Sequence, residues 1–260
     1  MQIHFYKYQG TGNDFIMIDQ RDVKTIHHQD QKSIALLCDR RFGIGADGLI
    51  LLEKSEQADF KMVYFNSDGN QSSMCGNGGR CIVSFAHKLG VFDRQTTFEA
   101  IDGLHHAEIL SNDWVSLGMV DVHHIDRLNQ HTFLLNTGSP HYVSICDQIP
   151  TNVNLEGKKI RYAEPYVKEG VNVNFVVNHN DHIQIATYER GVEDETLSCG
   201  TGVTAAAISC CIDLDDGNHE VSVRTKGGAL SVKLNKKNAL FYNISLIGPA
   251  TFVFEGQVKI

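Results

Sequence analysis

The chain has 260 residues, 42% hydrophobic and 21% charged, with a formal net charge of −8 and a pI near 5.9. The acidic balance argues against nucleic-acid binding, which needs a basic face to displace counterions, and against an anionic membrane surface. No apolar run approaches the ~20 residues that span a bilayer, and the length suits one large or two medium domains.

The amino-terminal segment MQIHFYKYQGTGNDF has no basic stretch followed by an apolar one, so no secretory signal is expected. It contains a strand-like segment, Ile3–Tyr8, and a Thr11-Gly12-Asn13 turn. A helix is predicted over Ser33–Arg41, followed by Gly43-Ile-Gly45-Ala-Asp-Gly48 and the strand-like Leu49–Glu53. The glycine spacing matches a dinucleotide fingerprint, but that motif follows a strand and opens a helix; the reversed order here predicts a tight loop instead.

A further strand is predicted at Phe60–Phe65, before the turn Cys75-Gly76-Asn77-Gly78. This turn opens a helical stretch in which Cys81, Phe85 and Leu89 recur every four residues, with Gly90 as its stop. In the second half, Thr137-Gly138-Ser139 precedes Pro140-His141. The strand-like Gln184–Tyr188 ends at Glu189 and Arg190, and Cys199-Gly200-Thr201-Gly202 opens the nearly all-apolar run Val203–Ile212. Such a helix is buried on every side. Strand-like Val221–Thr225 and Leu230–Leu234 follow.

These pieces repeat. Tyr64 and Tyr188, and Cys75 and Cys199, each stand 124 residues apart; Thr11-Gly12-Asn13 and Thr137-Gly138-Ser139 stand 126 apart, and Asp102-Gly103 and Gly227-Gly228 stand 125 apart. The repeat predicts an α+β fold of two pseudo-symmetric domains, each a mostly antiparallel, β-barrel-like sheet wrapped around a central helix. The expected domains are 1–117 carrying Cys75, joined by a carboxy-terminal strand 249–260, and 118–248 carrying Cys199.

The seven cysteines, an odd number with no regular spacing, fit reduced thiols in the cytoplasm. The thirteen histidines include His27-His28, His105-His106 and His123-His124, but neither H-E-x-x-H nor C-x-x-C occurs, so no metal site is expected. Most of these histidines are expected at the surface. His141 differs because its turn repeats that of the first half, and Glu189 and Arg190 are candidate site residues because they share the duplicated context of Cys199.

Cys75 and Cys199 each sit at a predicted helix start beside a Gly-x-Gly turn, where backbone N–H groups and the helix dipole stabilise a thiolate. The same N–H groups suit a carboxylate whose α-carbon is being deprotonated. One activated thiol suggests a nucleophile. Two, one per repeat, suggest a base for each face of one carbon, which is what stereoinversion needs. Cys210 and Cys211 read as buried helix residues.

The chain resembles the diaminopimelate epimerase family, within the two-cysteine, cofactor-independent racemases. The resemblance rests on Gly10-Thr-Gly-Asn-Asp-Phe15, Gly45-Ala-Asp-Gly48, Phe65-Asn66-Ser-Asp-Gly69, Met74-Cys-Gly-Asn-Gly-Gly-Arg80, Gly138-Ser-Pro-His141, Val171-Asn-Val173, Tyr188-Glu-Arg-Gly191 and Ser198-Cys-Gly-Thr-Gly202, in order. It implies interconversion of LL- and meso-diaminopimelate in lysine and peptidoglycan precursor synthesis, with no cofactor or metal, in a cytoplasmic homodimer. It assigns the bases to Cys75 and Cys199, and the reacting carboxylate to the backbone amides of Gly76, Asn77, Gly200 and Thr201. The reacting amino group falls to His141 and Glu189, and the distal end of the substrate to Asn13, Asn66, Asn172 and Arg190. The sequence departs from the family at Ser139, where asparagine is common, and at Gly48, where a polar side chain is common. A racemase of another amino acid is the alternative; a thiol-redox protein or a non-catalytic binding domain would not need the Glu189, Arg190 and His141 set.

Overall fold

The computed structural model of the protein describes residues 2–111 and 113–259. The chain divides into two compact units, Met1–Leu117 with Gly248–Ile260, and Gly118–Ile247. Among the described residues there are seventeen strands and four helices, and no helix is long and apolar enough to cross a membrane.

In the first unit, strands β1 (Gln2–Gly10), β2 (Asn13–Asp19), β3 (Gly48–Glu53), β4 (Phe60–Asn66), β5 (Gln95–Ala100), β6 (Gly103–Ser111), β7 (Trp114–Gly118) and β17 (Thr251–Lys259) accompany helices α1 (Gln31–Cys38) and α2 (Gly76–Lys88). The pairs β17/β1, β1/β2, β3/β4, β5/β6 and β6/β7 are antiparallel, while β2/β3 and β4/β5 are parallel. Helix α2 packs against β1, β2, β3, β4, β6 and β17. The helix stops where Gly90 takes a positive φ of 70°, which glycine adopts without steric cost.

The second unit repeats this order with β8 (Ile125–Asn129), β9 (Thr132–Asn136), β10 (Pro140–Ile145), β11 (Asn172–Asn178), β12 (Ile183–Glu189), β13 (Asp194–Thr196), β14 (Gly217–Thr225), β15 (Gly228–Lys237) and β16 (Leu240–Pro249), with helices α3 (Val153–Arg161) and α4 (Gly200–Cys211). The parallel pairs recur at the matching places: β10/β11 for β2/β3, and β12/β14 for β4/β5. Helix α4 packs against β9, β10, β11, β12, β14 and β15. Each sheet therefore has a central helix on its inner face and a shorter helix, α1 or α3, on the other.

Successive strand residues point to opposite faces, so this layering can be read off single strands. Along β11, Val173 and Phe175 join the cluster under α3, whereas Val176 joins the core around α4. Along β12, Ala186 and Tyr188 face α3, and Ile183 and Ile185 face α4. The same alternation turns Asn174, Thr187 and Glu189 toward α4. In α4, Val203–Ile208 are all buried, as a nearly all-apolar run requires.

The six predicted strand segments fall within β1, β3, β4, β12, β14 and β15. The predicted helix at Ser33–Arg41 is instead Gln31–Cys38, because Asp30 caps it by accepting from the Ser33 amide at 3.1 Å and Asp39 is extended. The glycine-rich segment is a loop into β3. A Cβ on Gly43 would lie 1.9 Å from the Leu36 carbonyl oxygen, so its glycines serve backbone packing.

Candidate active site

Both α2 and α4 begin at a cysteine. Cys75 and Cys199 occupy the cap positions in extended conformation, and neither side chain caps its own helix. The first-turn N–H groups of a helix have no intrahelical acceptor, so each turn presents donors beside a sulfur. In the first unit, the Cys75 thiol donates to Asn13 Oδ1 at 3.7 Å, and Asn13 Nδ2 donates to Asp47 Oδ2 at 2.7 Å. Behind Asn13 lies an ion network. Arg40 makes a two-pronged contact with Asp14 at 2.6 and 3.0 Å and reaches Asp47 at 2.8 Å, while Lys7 contacts Asp14 at 2.8 Å. Burial alone would raise the Asp14 carboxyl, but hydrogen bonds from Arg40 and Lys7 outweigh it and hold that group well below the usual carboxylate range.

Arg80, one and a half turns into α2, is fully buried. Its guanidinium donates to the Gly76 carbonyl at 3.2 Å, Asn77 Oδ1 at 3.0 Å, Thr11 Oγ1 at 3.3 Å and the Pro249 carbonyl at 3.4 Å. All four partners are neutral. Thr11 carries a positive φ of 50°, uncommon for a β-branched residue, at the turn that presents Asn13.

In the second unit, Cys199 Sγ lies 3.5 Å from Thr201 Oγ1, whose oxygen lies 2.9 Å from His141 Nε2. His141 is fully buried, and that burial pushes its imidazole down to about 3; Arg190 pushes the same way and Asn174 opposes it. The ring is therefore neutral. Burial raises the Glu189 carboxyl, and the neighbouring Thr196 and Cys199 side chains, which act the other way, do not offset it.

Beside this cluster, Asn172 donates to Ser139 Oγ at 2.9 Å and to the Pro140 carbonyl at 3.1 Å, and its Oδ1 accepts from the Arg190 amide at 2.9 Å. The exposed Arg190 guanidinium is held by the Glu169 carbonyl at 3.0 Å and Ser139 Oγ at 3.3 Å, both neutral. Ser139 thus links two site residues despite its shorter reach than asparagine. Gly48 lies in β3, where a Cβ would sit 2.5 Å from the Phe65 carbonyl oxygen and 2.6 Å from the Tyr64 ring. Asn66 ends β4 with an exposed side chain.

Within the first unit, Asn13 and the Gly76-Asn77 turn gather around Cys75. Within the second, His141, Glu189 and Thr201 gather around Cys199, with Asn172 and Arg190 alongside. Sequence reasoning missed Asn174, Thr187, Arg80 and Asp47. Asn174 did leave a signal: Asn172 and Asn174 alternate with valine in a strand buried on both faces, where a polar side chain must have a partner. Cys210 and Cys211 line α4 as packing residues, their thiols pushed up by burial to about 12 and about 11.

A family model described as diaminopimelate epimerase matches residues 5–124 and 133–253. Among curated relatives, a diaminopimelate epimerase of Flavobacterium psychrophilum is 55% identical over 255 residues, covering 97% of this chain and 99% of the relative. Another, from Chlorobaculum tepidum, is 41% identical, covering 96% and 99%. Among solved structures, a Bacillus anthracis phenazine biosynthesis protein of the PhzF family superposes with a TM-score of 0.76 at 15% identity over the whole of both chains. A probable proline racemase from Agrobacterium radiobacter superposes with a TM-score of 0.71 at 17% identity, covering 99% of this chain and 93% of that one. These two likenesses concern the fold.

Proposed function

We propose that this chain, which belongs to the diaminopimelate epimerase family, inverts the α-carbon of LL-diaminopimelate to give the meso isomer by a two-base reaction. One observation carries the reading: an extended cysteine at the start of a central helix, present in both units at equivalent places. A thiolate removes the α-proton, and the other cysteine, as a thiol, delivers a proton to the opposite face. The roles exchange for the reverse reaction.

The backbone amides of Gly76, Asn77, Gly200 and Thr201 are proposed to hold the reacting carboxylate and take up charge as the carbanion develops. An ammonium group needs acceptors. Glu189 supplies a carboxylate beside Cys199, and His141 is proposed to act at the same place by orienting the Thr201 hydroxyl. For the distal end, Arg190 is a cation fixed by neutral partners and thus available to a carboxylate, which a guanidinium grips with two parallel bonds. Asn13, Asn66 and Asn172 are proposed to complete that recognition.

The reaction supplies meso-diaminopimelate for lysine and peptidoglycan precursors, and we propose that it takes place in the cytoplasm, in a homodimer. The homodimer rests on the family resemblance, and sedimentation at several concentrations tests it.

The decisive test is a chiral assay in heavy water with no added cofactor. A thiol carries one exchangeable proton. Product formed early should therefore contain solvent deuterium at the inverted carbon, and recovered starting isomer almost none. Retention of the original hydrogen in the product, as one polyprotic base would give, overturns the two-base assignment. Turnover of another amino acid but not diaminopimelate would favour a related racemase.

A further inference from the structure

Four side chains behind Cys199 form a row of hydrogen bonds, and chemistry fixes the direction of every link up to the Thr201 oxygen. Asn174 Nδ2 lies 3.1 Å from the Tyr142 carbonyl, which only accepts, so the nitrogen of that amide must face it. The same nitrogen lies 3.0 Å from His141 Nδ1. His141 Nδ1 therefore accepts, and the single proton of a neutral imidazole sits on Nε2. That N–H donates to Thr201 Oγ1 at 2.9 Å. The Thr201 hydroxyl, whose oxygen accepts from His141, keeps its own hydrogen for Cys199 Sγ, 3.5 Å away. At the far end, Thr187 Oγ1 donates to Asn174 Oδ1 at 2.9 Å. All but Cys199 and Thr201 lie under the helix, and Asn174 and His141 are fully buried. A Cβ on Gly202 would lie 2.5 Å from Asn174 Oδ1, so the second glycine of the turn makes room for this row.

We infer that Asn174, braced by Thr187, is a positioning residue for the reaction: it holds His141 in the Nε2–H tautomer so that Thr201 donates to Cys199 and stabilises its thiolate. Neither Asn174 nor Thr187 touches substrate in the site described above. The charged groups facing the row are Glu189, which neighbours Cys199, and Arg190, whose charge acts on His141. The Glu189 carboxylate opposes the Cys199 thiolate; the donated hydroxyl counters it. The inference rests on Cys199 being one of the two bases, but its tests read the tautomer and the thiol directly and do not depend on turnover.

Nitrogen-15 NMR of histidine-labelled protein should show His141 neutral and protonated at Nε2 from pH 5 to 9. An Nδ1–H tautomer or an imidazolium at neutral pH overturns the inference. Asn174→Asp places an acceptor against Nδ1 and should move the proton there. Nε2 then accepts from Thr201, and the hydroxyl no longer donates to sulfur. Alkylation of Cys199 by iodoacetamide at pH 7, followed by peptide mass spectrometry, should slow about tenfold, with kcat falling by a similar factor and KM little changed. In case Asn174→Asp does not fold, Thr201→Val should slow alkylation equally while leaving the His141 tautomer unchanged, and Thr201→Ser should restore it. Unchanged alkylation in Thr201→Val overturns the inference even if the protein is an active epimerase; loss of epimerase activity with the predicted tautomer and alkylation pattern intact would instead count against the function proposed above.

Discussion

Beneath the first turn of α2, a Cβ placed on Gly78 would meet Ile50, Met62 and Phe15; beneath α4, one on Gly202 would meet Asn174, Thr187 and His141. The backbone register makes Phe15 equivalent to His141 and Ile50 to Asn174, whereas Met62 corresponds to Ile185 and Thr187 to Tyr64. Phe15 pairs with Gly48 as His141 pairs with Asn172, in the parallel ladder of each unit. The rims are alike, each a cysteine and two glycines at a helix start, but one floor is apolar and the other polar. The fourth residue beyond each cysteine's glycine inverts the contrast: Arg80 donates to the Gly76 carbonyl, and Thr204 donates to the Gly200 carbonyl at 3.0 Å. The first unit keeps its polar support inside the helix and in the Asn13 turn, whereas the second takes it from the sheet. One scaffold can thus hold two sulfurs in alike backbone settings and unlike electrostatic ones.

The largest effects should come where the rims are alike. Cys75→Ala and Cys199→Ala should each lower turnover by at least about 10³-fold without unfolding the protein, since each removes one of the two proposed proton-transfer groups. Alanine at Cys210 or Cys211 should leave kcat nearly intact and cost about 1 kcal/mol of packing, read by denaturant titration. Near-normal turnover in either of the first pair would break the equivalence of the two turns.

The next contrast is Arg80 with Thr204. Arg80→Thr, which transplants the second unit's residue, leaves Asn77 Oδ1, Thr11 Oγ1 and the Pro249 carbonyl short of a donor and opens a cavity. It should cost about 3 kcal/mol. Thr204→Val removes one hydrogen bond and should cost about 1 kcal/mol. The floors themselves separate at the glycines. Gly202→Ala brings a methyl to 2.5 Å from Asn174 and should cost about 2 kcal/mol, whereas Gly78→Ala presses on the ends of flexible side chains at 3.1 and 3.4 Å and should cost under about 1 kcal/mol.

An effect of about the same small size is one of pH. Folded His141 stays neutral down to about 3, whereas in the unfolded chain it takes a proton near 6.5. Below that value the unfolded state binds the extra proton, so stability falls as pH drops toward the folded value. Relative to wild type, His141→Gln should flatten the stability curve by about 1 kcal/mol between pH 6.5 and 5.5. A difference curve without slope there would mean that the imidazole titrates normally and the second floor is not dry.

The duplication was legible because it is carried by turns, where glycine and cysteine leave marks at fixed spacing. From it followed the repeated sheets and both central helices, each announced by its own periodicity. Helix α3 went unread: its sequence, VNLEGKKIR, buries only Val153 and Gly157, and Gly157 packs where a Cβ would lie 2.3 Å from Tyr188. The candidate site residues on turns were picked out through the same spacing and the family resemblance. Asn174 and Arg80 were harder, because a buried polar side chain declares itself only through partners that are distant in sequence. Asn174 is 33 residues from His141, and Arg80 is 69 from Thr11.

The anchoring of Arg190 has a kinetic consequence. Its charge is held still and left uncancelled on a protein of net charge −8, so it stands as a local positive point on an acidic body. A substrate whose far end is a carboxylate is drawn to such a point before any close contact forms, over a range set by the Debye length, about 8 Å at physiological salt. Capture should therefore slow as ionic strength rises, while the proton transfers proposed for Cys75 and Cys199 proceed unchanged: salt governs how often the enzyme is visited and leaves the chemistry alone.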